Sequence, residues 1–314
     1  MSFSGEVKEE LSKHISQARH CQIAELSAIV HFCGRIERRQ NGKEVLLLET
    51  ENEAVFRKCF TLLKKTFNID SSVMDKTSEN TDKSTKLVIE LSDHEQIWNL
   101  FHALKLIDQN GIFRGLTKPV NSLLIKNACC KRAFLRGTFL CIGSMSDPAK
   151  GYHLEIAAQN MEQAEQIRDL LSDFDLEAKI IQRKRYYVVY LKEGACIVDF
   201  LNICEAHVAL MDLENLRIVK EMRNSINRRV NCEAANITKT VNASTKQIAE
   251  ITLLRYHYGF HNLPDNLREM AEVRMEYPDL SLKELGQYLS PPVGKSGVNH
   301  RLRKLSEIAQ EVKV

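Results

Sequence analysis

Apolar residues along the chain follow two alternating periods, and the alternation repeats. The stretches "EAVFRKCFTLLKKTF" and "EQAEQIRDLLSDF" place Val55, Cys59, Leu62 and Leu63, and then Ala164, Ile167, Leu170 and Leu171, at the spacing of an amphipathic helix. Each is entered from a strand-like run, "GKEVLLLETEN" from Gly42 and "GYHLEIAAQN" from Gly151. Two further strands follow each: "IDSSVMDK" and "STKLVIELS" in the first copy, "LEAKIIQR" and "RYYVVYLK" in the second. Closing helices are predicted near residues 93–108 and 194–204. Upstream stand two related segments, "LSAIVHFCG" (26–34) and "LRGTFLCIG" (135–143), offset by 109 residues. The predicted order is helix, strand, helix, strand, strand, helix, twice in tandem, which packs most simply about a pseudo-twofold axis. Ala28 and Gly34 align with Gly137 and Gly143, small residues that let two backbones approach closely.

The period then changes. Ile226, Val230, Ala234, Ile237 and Val241 hold one helical face, and Ile248, Ile251 and Leu254 continue it after a restart marked by Ser244 and Gln247, a capping-box pair. Leu267, Met270 and Ala271 mark another helix, ended by "YPD". Ser281 and Glu284 form a second capping box before Leu282, Leu285 and Leu289. "SPPVGKSG" breaks that helix, and a last one carries Val298, Leu302, Leu305 and Ala309 on one side. "NCEAAN" crowds Asn231, Glu233 and Asn236 into the predicted connecting helix. Poor helix formers there suit a place where backbone groups need partners between domains, or a contact with DNA.

Composition narrows the classes. At 314 residues, 44% hydrophobic and 27% charged, the chain is an ordinary folded protein of two or three domains. It has no apolar run able to cross a bilayer, and "MSFSGEVKEELSKH" is charged from its sixth residue, unlike a signal peptide, so a cytoplasmic protein is expected. The nine cysteines are odd in number and include no C-x-x-C pair, which points to neither a zinc knuckle nor a disulfide framework; no metal or cofactor is expected. The net charge of +3 is unevenly placed: residues 223–314 carry 14 Lys and Arg against 10 Asp and Glu, leaving the first 222 residues at −1. Lys295, Arg301, Arg303 and Lys304 fall in a stretch, 291–304, that contains no acid, which suits a phosphate backbone.

The repeated segment with its repeated downstream strand, over roughly residues 20–205, resembles the LAGLIDADG homing endonucleases in their single-chain, double-motif form. In that family the acid before the last glycine of each motif binds the divalent cations that drive cleavage. Here the two positions are Cys33 and Ile142, neither of which offers the hard oxygen ligand magnesium requires. His31 and Asp147 lie nearby but are poor substitutes. The resemblance implies a motif kept as a helix-packing interface without nuclease chemistry. Lys179, Arg183, Lys184, Arg185 and Lys192, on or beside the candidate strands, allow a second DNA contact, although a solvated strand face reads equally well.

The two short helices joined by a breaker fit a helix-turn-helix. At about 100° per residue, Ser296, Asn299, His300 and Arg303 fall together opposite Val298, Leu302 and Leu305. Arg303 suits guanine and Asn299 adenine, while Lys295, Arg301 and Lys304 are placed for phosphates. Here "NRRVNCEAANITKTV", "LPDNLREMAEVR", "SLKELGQYL" and "KSGVNHRLRKL" resemble the WhiA family of bacterial transcriptional regulators. The resemblance covers nearly the whole chain. It implies an α+β fold: a tandem pseudo-twofold LAGLIDADG-like repeat domain without nuclease activity, followed by an all-α helix-turn-helix domain. The divisions read as an N-terminal helical segment (1–20), two repeats (21–115 and 116–210), a connecting helix (211–243) and the helix-turn-helix domain (244–314).

The leading expectation is therefore a non-enzymatic, nucleoid-associated regulator of transcription that binds double-stranded promoter DNA and has no membrane partner. The family ties it to sporulation, or to cell division and chromosome organisation. Two alternatives stay open: a metal-dependent endonuclease with unconventional ligands, and a repeat domain that docks an RNA polymerase sigma factor or another regulator.

Overall fold

Each apolar stripe of the repeats becomes the inner face of a helix laid on a sheet. The computed structural model describes residues 2–39, 42–69, 72–76 (backbone only) and 86–312. The expected strand ends at 70–71 and 84–85 lie outside the described residues. The first half runs α1 (Phe3–Lys13), α2 (Arg19–Cys33), β1 (Gly34–Arg38), β2 (Glu44–Thr50), α3 (Glu53–Phe67), β3 (Ser72–Lys76), β4 (Lys86–Leu91) and α4 (His94–Ala103). The second runs α5 (Ala128–Ile142), β5 (Gly143–Met145), β6 (Leu154–Ala158), α6 (Met161–Ser172), β7 (Lys179–Arg183), β8 (Tyr186–Leu191) and α7 (Gly194–Cys204). Then come α8 (His207–Leu253), α9 (Asp265–Glu276), α10 (Leu282–Leu285) and α11 (Lys295–Val312). The chain divides into two compact units, residues 1–219 and 220–314.

The halves of the first unit share one topology, antiparallel sheets ordered β1-β2-β4-β3 and β5-β6-β8-β7. Each has one strand more than the sequence pattern predicts. β1 and β5 leave the C-termini of α2 and α5 with no intervening turn, and at five and three residues they are too short for alternation to show. Leu46 and Leu48 pack with Cys59, Leu62 and Leu63; Leu154, Ile156 and Ala158 pack with Ala164, Ile167, Leu170 and Leu171. Asn52 and Asn160 cap the two covering helices, each accepting from backbone N–H groups of the first turn at 2.9 Å.

Between the halves, α2 and α5 pack side by side. The first turns of the two helices meet at His20 and Cys130, and Gly137 sits where a Cβ would lie 2.6 Å from the Glu25 carbonyl and 3.0 Å from the Ala28 Cβ. Only a glycine permits that approach. Gly34 and Gly143, expected to serve the same seam, instead sit at the helix-to-strand junctions, where the nearest atom to an added Cβ belongs to Val30 or Phe139 of the preceding helical turn.

Buried in the seam are charges that the apolar pattern hides. Arg136 Nε donates to Glu25 Oε1 at 3.1 Å with both side chains almost fully buried, and Lys58 Nζ lies 2.9 Å from the same oxygen. Arg136 also donates to the Cys204 carbonyl and, at 2.9 Å, to Ser16 Oγ, and pairs with Glu205. Lys58 donates to the carbonyls of Leu11 and His14. Burial works against the Arg136 charge, but Glu25 and then Glu205 outweigh it and hold its pKa above the ordinary arginine value. For Lys58 burial prevails over Glu25 and the pKa is lowered. One carboxylate thus joins α2, α3 and α5, and Lys58 extends the link to α1. Next to Leu11 on α1, Glu10 accepts from the Val208 and Ala209 N–H groups at 2.8 and 3.0 Å, capping α8.

In the second unit Ile251, Leu254, Leu267, Met270, Leu285, Val298, Leu302 and Leu305 form one core. The restart expected at Ser244 does not occur. α8 passes through it unbroken, and the buried Ser244 hydroxyl donates to the Pro278 carbonyl at 2.6 Å instead of capping. The apolar face of Ile226, Val230, Ile237 and Val241 is exposed. Asn231, Glu233 and Asn236 are also exposed, and Asn236 Nδ2 donates to Cys232 Sγ one turn back. The interdomain capping role expected for them does not fit, because backbone groups in mid-helix already have i→i−4 partners.

Gly137→Ala is expected to destabilise the protein by about 1–3 kcal/mol through overpacking at the seam. Gly151→Ala, where an added Cβ meets nothing within 4 Å, serves as the control. Thermal unfolding of both variants measures this; equal melting temperatures would remove the close approach as a constraint.

Candidate nucleic-acid interface

The last helix, α11, is positioned by a tight turn. The predicted capping box of α10 is formed: Ser281 N–H donates to Glu284 Oε2 at 2.9 Å and Glu284 N–H to Ser281 Oγ at 3.4 Å. After α10, Val293 N–H donates to the Gly286 carbonyl at 2.9 Å, and a Cβ on Gly286 would stand 2.0 Å from the Val293 carbonyl oxygen. This position therefore has to be glycine, and it folds the breaker segment back so that α11 seats Val298, Leu302, Leu305 and Ala309 in the core.

The opposite face of α11 is open. Lys295, Ser296, Asn299, His300, Arg303 and Lys304 are all exposed, as the helical wheel requires. Arg303 lies 3.3 Å from Glu307 one turn on, an exposed pair that contributes little to stability and leaves the guanidinium reachable. Arg301 is placed differently. Its Nη1 is 3.6 Å from Glu269 and donates to the Asn266 carbonyl, so the side chain holds α11 to α9. Beside the start of α11 lies an open groove of about 470 Å³, lined by Lys239, Arg274, Lys283, Lys295 and Asn299 among others. Lys239 and Lys283 were not legible as site residues, because they come from α8 and α10 and reach the groove only through the packing of three helices.

The sheets of the first unit present a different surface. Arg35 is 3.0 Å from Glu49, Arg39 pairs with Glu90, and Arg183 is 2.6 Å from Glu155, which His153 also contacts. Lys179, Lys184, Arg185 and Lys192 are exposed on or beside β7 and β8. Arg35, Arg39 and Arg183 are thus paired with carboxylates of their own sheets.

At the ends of the motif helices, Cys33 and Ile142 stand half-buried at the positions where the endonucleases carry acids. An open recess of about 630 Å³ beside them is lined by Lys8, Cys33, Glu49, Glu51, Cys141 and Lys86, among others. Burial lowers the pKa of Lys8, partly offset by the thiols of Cys141 and Cys33. Glu49 is engaged by Arg35. His31 is buried, with Nδ1 2.7 Å from the Ser27 carbonyl, and burial moves its pKa down to about 4. Its ring is a neutral structural group rather than a ligand facing solvent.

Fold and surface together define a LAGLIDADG-like double-repeat domain followed in the chain by a helix-turn-helix domain. Comparison with known proteins gives the same division. Residues 19–107 match the WhiA N-terminal LAGLIDADG-like domain, 131–223 the WhiA LAGLIDADG-like domain and 226–309 the WhiA C-terminal HTH domain. The probable cell division protein WhiA of Lachnoclostridium phytofermentans is 51% identical, covering 98% of each chain, and that of Alkaliphilus oremlandii is 46% identical, covering 99% of this chain and 98% of its own. The crystal structure of full-length WhiA from Thermatoga maritima aligns with a TM-score of 0.60 at 26% identity over 99% of both chains. The chain belongs to the WhiA family. Among the described residues no helix is long and apolar enough to cross a membrane.

The His31 pKa gives a sign. A pKa near 4 in the folded chain lies below the unfolded value of about 6.5, so the unfolded chain takes up a proton first as the pH falls. Stability from His31 is complete above about pH 6.5 and is lost between there and about pH 4. His31→Gln is expected to flatten the fall of melting temperature over that window relative to the parent; an unchanged slope would mean the ring is not held neutral.

Proposed function

We propose that this chain is a sequence-specific, DNA-binding regulator of transcription that reads duplex promoter DNA through α11, and that its repeat domain does not cut DNA. The observation that carries the reading is the exposed polar face of α11, seated by the Gly286 turn in the region matching the family's HTH domain. Asn299 and Arg303 are the base-reading candidates on that face; Lys295, Lys304, Lys239 and Lys283 are the phosphate contacts. Arg301 acts by fixing the helix against α9. The relatives' name, probable cell division protein, supports a role in cell division and chromosome organisation; the family resemblance adds sporulation. A nucleoid-associated location follows from that role.

Absence of cleavage is supported by the residues at the motif ends. A thiol and an isoleucine replace two carboxylates, and the Lys8 ammonium lines the recess that a divalent cation would enter. The carboxylate-paired arginines of the two sheets favour a second reading for the repeat domain alone, docking of a protein such as a sigma factor, because neutralised arginines release few counterions on meeting DNA.

Fluorescence anisotropy on promoter fragments with added magnesium tests this. Asn299→Ala and Arg303→Ala are each expected to cost about 1–3 kcal/mol on the preferred site and little on other DNA. Lys283→Gln is expected to weaken all sequences alike and to reduce the slope of log K against log salt by about 0.9. The DNA is expected to be recovered intact. Undiminished binding by the α11 variants would move recognition elsewhere, and strand breaks abolished by a single acid substitution would restore the nuclease.

A further inference from the structure

The paired motif helices bring together four groups that the DNA-binding role does not use. His20 and Cys21 lie in the first turn of α2, and Cys129 and Cys130 lie in the first turn of α5. His20 Nδ1 is 3.2 Å from Cys130 Sγ and 3.3 Å from Cys21 Sγ, and the four donor atoms all fall within 4.8 Å of one another. The internal repeat maps one pair onto the other, since the 109-residue offset carries His20 to Cys129 and Cys21 to Cys130. Cys21 and Cys130 are buried with Ala24 and Ala133, while His20 and Cys129 reach the surface. Neither helix start is capped by a side chain: Ala18 has none to offer and Asn127 makes no such bond.

We propose that His20, Cys21, Cys129 and Cys130 form a structural zinc site that clamps the N-terminal ends of the two motif helices. Three sulfurs and one imidazole nitrogen are a common closed, tetrahedral donor set for zinc. With Zn–S at about 2.3 Å and Zn–N at about 2.0 Å, the edges of that tetrahedron are roughly 3.5–3.8 Å. The contacts in the structure differ from this by a few tenths of an ångström in the nitrogen–sulfur pairs, and the whole cluster exceeds it by about 1 Å at most, within reach of rotamer adjustment in two exposed side chains. Binding replaces the thiol protons of the three cysteines, which pass to solvent, so the metal is held more tightly as the pH rises. No oxidant is needed. Zinc suits the set better than magnesium, which takes oxygen ligands, or an iron–sulfur cluster, which takes four thiolates. The expectation of no metal rested on the lack of C-x-x-C; here the ligands arrive as two adjacent pairs more than a hundred residues apart, and only the pairing of α2 with α5 joins them.

The test uses the full chain, purified reduced, its metal content measured, then stripped with chelator and titrated with cobalt(II). One cobalt per chain is expected, with the intense ligand-field bands of a tetrahedral thiolate site, lost on adding zinc. Zinc should also raise the melting temperature. Cys129→Ser, at an exposed position that should leave folding intact, is expected to weaken the metal by more than about tenfold and to abolish the zinc-dependent shift. Cys232→Ser, an exposed thiol on α8, should change neither. Absence of the bands in the reduced parent, bands untouched by Cys129→Ser, or a disulfide among Cys21, Cys129 and Cys130 in place of bound metal would each overturn the site.

Discussion

The bond between Glu25 and Arg136 is the constraint on which the first unit depends. Two buried charges at 3.1 Å are costly to desolvate and require further hydrogen bonds to the guanidinium to offset that cost. That requirement fixes the neighbours. Lys58 comes from α3 to the same carboxylate oxygen, Ser16 and the Cys204 carbonyl take the other guanidinium donors, and Gly137 removes the side chain that would hold the two helices apart. A uniformly apolar seam between two similar helices could slide by a turn; a buried ion pair has one register. The two sheets inherit their placement from it, because each leaves directly from the end of a motif helix.

This division of labour explains a motif that keeps its shape without its acids. A catalytic carboxylate at each helix end has to be presented to metal and phosphate, whereas a packing helix needs only small residues and a fixed register. Ala28 and Gly137 meet the second demand, and Cys33 and Ile142 leave the first unmet. On the proposed reading, recognition rests on the second unit, where a turn that admits only glycine at position 286 aims the polar face of α11 outward.

Much of this was legible in the sequence because it rests on local pattern. The 109-residue offset, the amphipathic spacing of α3 and α6, the Ser281 capping box and the inward face of α11 all survive unchanged. What was not legible depends on partners distant in sequence. Ser244 has the spacing of a cap, yet its hydroxyl is taken by Pro278 while the helix runs on. Arg301 reads as one of four basic residues until Glu269 is beside it. Arg136 stands next to Gly137 in an apolar motif, a visible anomaly, but its meaning requires Glu25, which is 111 residues away. Lys239 and Lys283 belong to the candidate groove only through the packing of α8, α10 and α11.

The most direct test is a double-mutant cycle of Glu25→Gln and Arg136→Met, read by chemical unfolding and, on the same samples, by affinity for promoter DNA. If the pair sets the seam and α11 does the reading, the two substitutions couple by about 1–3 kcal/mol in stability, while DNA affinity stays within about twofold, under half a kcal/mol. Additive stability losses would contradict the seam. A loss of DNA affinity that tracks the loss of stability, under conditions where every variant is folded, would contradict the separation of scaffold from reader.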